Sequence, residues 1–199
     1  MKTDLLLAEK THLGNLLEAI QRCVYFLDAT SRKLPWLLNG PLLRQYKKDE
    51  ALFEALSAFN ERFSKLQDTL AAAMRHAQLL LGEPGDSFLK VLTYYEKHAV
   101  IDSIDSWQLL RAARNLAAHD YEIDYAEIAD HFNSLYELLK VLYRTSRAFV
   151  LHCDEQLGIK PGSMDFNSEF FEITSRFSDS ISSQAPSVGQ VRTKPSKDA

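Results

Sequence analysis

Nine apolar residues from Leu52 to Leu80 (Leu52, Leu56, Phe59, Phe63, Leu66, Leu70, Ala73, Ala77 and Leu80) alternate four and three positions apart without a break. On a helix of about 3.6 residues per turn, that spacing lays one apolar seam along about eight turns. A strand has no use for such a pattern, because its side chains change face with a period of two. Large residues fill one end of the seam and alanines the other, so a neighbouring helix can approach closely at the alanine end. A helix this long with a single apolar stripe must bury it against other helices, which makes a bundle the expected fold.

The same reading extends along the chain. A first helix is expected from about Asp4 to Lys33, with Leu13, Leu17, Ile20, Val24 and Leu27 as its seam. Leu34-Pro35-Trp36 and Gly40-Pro41 break it, and the apolar connector Pro35–Leu43 is expected to fold back onto its own core, with a partner-binding patch as the second reading. Gly82 to Asp86 ends the long seam helix. A shorter helix follows over Ser87–His98, then one over Ser106–Ala118 with Ser103, Asp105 and Ser106 able to cap it. The last long helix spans Tyr125–Gln156, with Ile128, Phe132, Leu135, Leu139, Leu142, Phe149 and Cys153 in four-three spacing and Ser146 as a polar interruption. No segment alternates as a sheet requires. The expected fold is all-α, an up-and-down bundle of four to five helices over residues 1–162. A short C-terminal helix is expected within 163–177, around Phe170, Phe171 and Ile173, and a disordered serine-rich tail over 178–199.

Composition narrows the function classes. A formal net charge of −4 argues against a broad basic surface for nucleic acid, but leaves room for a small basic site. Cys23 and Cys153 lie in apolar helical stretches without metal-type spacing and read as buried free thiols. The N-terminus shows no signal peptide, and no apolar run approaches the roughly 20 residues of a membrane span. A cytoplasmic protein without membrane association is expected. The seven glycines form no phosphate loop, and no His-Glu-x-x-His, paired Cys-x-x-Cys or calcium-loop pattern occurs. Glu127 and His131 stand four apart and alone, short of the repeated pairs of a di-iron bundle. Neither a metal nor a cofactor is expected. His12, His76, His98 and His152 read as surface or helix-end groups.

One stretch departs from bundle scaffold. Arg114-Asn115-Leu116-Ala117-Ala118-His119-Asp120-Tyr121 gathers a guanidinium, a carboxamide, an imidazole and a phenol within eight residues. Projected at about 100° per residue, Arg111, Arg114, Asn115, Gln108 and His119 share one arc, beginning at Trp107. Leu109, Leu110, Ala112, Ala113, Leu116 and Ala117 fall opposite and are expected to form the core side. A plain solvated face accounts for the polarity but favours lysine and glutamate. Two arginines, an amide and an imidazole suit holding an anion and moving a proton.

Arg-Asn-x-x-x-His, preceded by Asp105-Ser106-Trp107 and followed by Asp120-Tyr121, resembles the signature of the HEPN superfamily, and most of all its HepT-like and nucleotidyltransferase-substrate-binding branch. Arg114, His119 and Tyr121 fit the longer form Arg-x4-His-x-Tyr, with Asn115 at the usual residue after the arginine. The likeness covers Asp105 to about Phe132. The outer helices match in character only, and the long first helices, the Pro35–Leu43 connector and the tail depart from the pattern.

The resemblance implies a homodimer whose motif helices meet across a two-fold axis. It implies the toxin of a type VII HEPN/MNT toxin–antitoxin system, a metal-independent endoribonuclease acting on RNA. His119 would serve as general base or acid, Arg114 would stabilise the phosphorane, and Asn115 would bind phosphate or orient His119. Arg111 and Gln108 would contact substrate. Tyr121 has two readings: packing beside Trp107, or accepting AMP from a cognate minimal nucleotidyltransferase antitoxin. The same motif also suits a non-catalytic nucleotide- or substrate-binding subunit, or antitoxin partner, of such a nucleotidyltransferase. A helical interaction module without a site is the third reading.

Overall fold

The computed structural model describes residues 2–83, 87–116 and 124–177, and for Lys2, Thr3, Asn115 and Leu116 the backbone alone. Among them are seven helices and no strand: α1 (Lys2–Ser31), α2 (Gly40–Gln45), α3 (Glu50–Leu80), α4 (Phe88–Lys97), α5 (Ile104–Leu116), α6 (Tyr125–Leu157) and α7 (Asn167–Ser175). The chain is all-α, as the periodicity requires. The tail over 178–199 lies outside the described residues.

The seams form the core. Leu13, Leu17, Ile20, Val24 and Leu27 of α1 are fully buried, as are Phe59, Phe63, Leu66, Leu70, Ala73 and Ala77 of α3. Ser146, the interruption in α6, is tolerated there because its hydroxyl donates to the Leu142 carbonyl at 2.7 Å. Pairings across the core fix the helix directions. His76 of α3 meets Glu9 near the start of α1, while Arg62 meets Thr30 near its end, so α1 and α3 run antiparallel. Arg114 pairs with Asp68, while Trp107 reaches Arg75 through Phe88, so α5 is antiparallel to α3 as well. Phe59 packs on Phe132, and Tyr95 touches both Met74 and Phe149, which makes α3 and α6 parallel. The result alternates up and down through α1, α3, α5 and α6.

The apolar connector folds onto the core as expected, with Leu34, Leu38 and Leu43 buried and Leu37 left exposed. Trp36 stacks on Tyr136 at 4.4 Å and donates its indole N–H to the Ser31 carbonyl at 2.8 Å. The connector also contains a short helix, α2, where the sequence alone suggests a loop. Asn39 caps α2 by accepting from the Leu42 amide at 2.9 Å, and Pro41 sits in the first turn, where its missing N–H costs nothing. A Cβ on Gly40 would come within 3.1 Å of the Ala126 nitrogen, a tight contact, so glycine eases the close approach of α2 to α6. That contact braces the first turn of α6, just after residues 117–123.

The C-terminal helix is part of the same core. Phe170 and Ile173 of α7 are buried, and Gln21 of α1 donates to Asn167 at 3.0 Å. Asp28, nearly buried at the end of α1, pairs with Arg32 at 3.2 Å and with Arg176 at 3.5 Å, which ties both helix ends together.

The histidines need a correction. His152 is buried, only 7% exposed, and its ring lies among Tyr94, Tyr95 and His98. His76 is largely buried too, with Nε2 2.9 Å from the Glu9 carbonyl oxygen. Sequence neighbours carry no hint of this, because the partners of both histidines come from other helices.

Candidate functional site

α5 starts on a reciprocal cap. The Ser103 hydroxyl accepts from the Ser106 amide at 3.0 Å, and the Ser106 hydroxyl accepts from the Ser103 amide at 3.2 Å. The Ile104 amide, another free donor of the first turn, donates to Glu96 of α4 at 2.9 Å. These contacts fix the rotation of α5 about its axis.

That rotation differs from the projected one. Trp107, Leu110 and Ala113 face the core, whereas Leu109 is 60% exposed and Ala112 is exposed beside it. The projection took Leu109 and Ala112 for the core side and Trp107 for the edge of the polar arc. Alanine is nearly indifferent to burial, and one leucine carries less apolar area than a tryptophan. Trp107 wins by packing edge-on against Phe88 at 5.9 Å. Two faces result where one polar arc was expected. Arg114 sits at the core's rim and turns toward α3, its side chain 25% exposed, while Gln108 lies in solvent beside Leu109 and Ala112.

Arg114 and Arg111 line a pocket of about 130 Å³ between α5 and α3. Its other wall is a stripe of α3 spaced by four, Gln67, Ala71 and Arg75, with Asp68 beside it. Ala71 leaves the room. The Arg114 guanidinium donates to the Asp68 carboxylate, whose side chain is 64% exposed. Arg75 lies with its guanidinium carbon 4.2 Å from the centre of the Phe88 ring. Three guanidiniums against one carboxylate leave the pocket net positive in an acidic chain.

Gln67 adds a second signal. It is 2% exposed, and neither its amide nitrogen nor its amide oxygen has a hydrogen-bond partner among the described residues. Leaving a buried amide unmade costs about 1–3 kcal/mol. The sequence reading missed Gln67, Asp68 and Arg75, which lie on α3, far from the motif in sequence. The one local signal was a glutamine set immediately after seam residue Leu66.

The remaining motif residues are only partly placed. The Asn115 backbone continues α5, three positions beyond exposed Ala112 in the helical register. Its side chain, His119 and Tyr121 lie outside the described residues. Among the described residues, no group of three His, Cys, Asp or Glu side chains is arranged to hold a metal ion, and no helix is long and apolar enough to cross a membrane. Both cysteines are free thiols, but only Cys153 is buried, which pushes its thiol up to about 12; Cys23 is partly buried, which still raises its thiol. Compared with known protein families, curated proteins and solved structures, the chain matches none.

Proposed function

We propose that the chain is a HepT-like toxin: a homodimeric, metal-independent endoribonuclease neutralised when a cognate minimal nucleotidyltransferase adenylylates Tyr121. The observation that carries this reading is the cationic pocket in which Arg75 of α3 meets Arg111 and Arg114 of α5, the two arginines shortly before His119 in sequence. Guanidiniums fixed on two packed helices suit a phosphodiester, because they meet its developing charge without reorganising.

In the proposed reaction, one His119 imidazole takes the proton of a ribose 2′-hydroxyl. The 2′-oxygen attacks the adjacent phosphorus, and Arg114 holds the charge of the phosphorane. The bond to the 5′-oxygen breaks as a second imidazole protonates it, leaving a 2′,3′-cyclic phosphate and a 5′-hydroxyl. One chain brings one motif histidine, so the second comes from a second copy across a two-fold axis. The exposed strip of Gln108, Leu109 and Ala112 supports that pairing, since an apolar residue and a small one on the outer face of α5 let two such helices meet. AMP on Tyr121 would set a phosphate against the same arginines and exclude RNA.

Expression of the chain alone in bacteria tests the reading. Growth arrest by wild type, relieved by His119→Ala at equal soluble protein, is the expected result. Normal growth with well-folded wild type would turn the assignment to a non-catalytic nucleotide-binding subunit of the nucleotidyltransferase.

A further inference from the structure

The wall of the pocket supplied by α3 is not part of the Arg-x4-His-x-Tyr motif. We infer that it is a phosphate seat for single-stranded RNA, in which Gln67 and Arg75 hold a backbone phosphate together with Arg111 and Arg114, and in which Asp68 occupies Arg114 until the phosphate displaces it. The inference rests on the proposed RNA substrate but not on cleavage.

Three observations meet here. First, the Gln67 amide is buried against the pocket with both polar atoms unpartnered, and a phosphate oxygen would accept from its nitrogen. The amide oxygen then accepts from a neighbouring guanidinium. Second, Arg75 is held on the Phe88 ring, which restricts a long side chain before any ligand arrives. Third, the one carboxylate at the pocket already pairs with Arg114, as an anion from outside would. Asp68 is largely solvent-exposed, so its pair with Arg114 is weak and exchangeable. The volume, about 130 Å³, suits one phosphate group and leaves a base outside.

Binding of a labelled 2′-O-methyl oligonucleotide by the full-length protein separates this from catalysis, because that strand has no free 2′-hydroxyl to attack with. Arg75→Gln and Gln67→Leu are each expected to weaken binding roughly tenfold, the scale of a hydrogen bond to a charged group. Arg75→Gln should also lower the slope of log affinity against log salt by about 0.7, one phosphate contact on a single strand. Asp68→Asn should tighten binding several-fold. Folded Gln67→Leu and Arg75→Gln proteins that keep wild-type affinity would overturn the seat, and unchanged affinity in Asp68→Asn would overturn the displacement. Unmodified RNA run in parallel keeps the two proposals apart. Wild type that binds but does not cut removes the nuclease and leaves the seat. Cutting that is indifferent to the α3 substitutions removes the seat alone.

Discussion

At the scale of single residues, Arg114 is set by competition between charges. Its guanidinium bridges α5 to Asp68 on α3, at the edge of a core that Trp107 and Ala113 complete. Arg114→Ala is expected to cut the rate of RNA cleavage by roughly a hundredfold to a thousandfold, the usual loss for one preorganised donor at a developing charge. Arg114→Lys should recover little of it, since an ammonium lacks the planar fork. Single-turnover kinetics checks both. His152 makes a different residue-scale prediction. Burial, and after it the neighbouring His98, lowers its pKa, with Glu155 opposing. The folded state then binds that proton less readily than the unfolded chain does. The stability from neutral His152 is therefore full above the unfolded value of about 6.5 and is lost as pH falls from there through the depressed folded value. Urea midpoints at pH 7.5 and pH 5 should fall further for wild type than for His152→Phe, and equal falls would contradict the account.

At the scale of elements, long helices were legible in the sequence and short ones less so. A seam repeated over about eight turns averages out every local ambiguity, as in α3. α5 has 13 residues, and there the choice between Leu109 and Trp107 as the inward side was made by Phe88 on another helix. Arg111 and Arg114 could be picked out because they share one short stretch. Gln67, Asp68 and Arg75 could not, because only the antiparallel packing of α3 on α5 brings them opposite. The orientation of α5 depends on its start, so Ser103→Ala should cost about 1 kcal/mol of stability, as loss of a capping hydroxyl does. Denaturant unfolding measures that cost. The substitution should also weaken oligonucleotide binding, because a frayed first turn lets Arg111 and Arg114 drift from α3.

At the scale of the whole molecule, an acidic chain gathers positive charge in one small place, and the bundle around it is the frame. The connector and α2 brace the start of α6, while α7 locks onto α1. The exposed strip of Gln108, Leu109 and Ala112 on α5 lies outside that frame. Leu109→Arg should convert a dimer to a monomer in light scattering while leaving the melting temperature of the fold close to wild type, since Leu109 contributes no core burial. Cleavage should be lost with the dimer. The central claim, RNA cleavage by paired motif helices, is tested most directly by incubating the purified full-length protein with total RNA in EDTA, wild type beside His119→Ala. The account predicts new fragments ending in 2′,3′-cyclic phosphate for wild type alone; identical RNA patterns for the two proteins would contradict it.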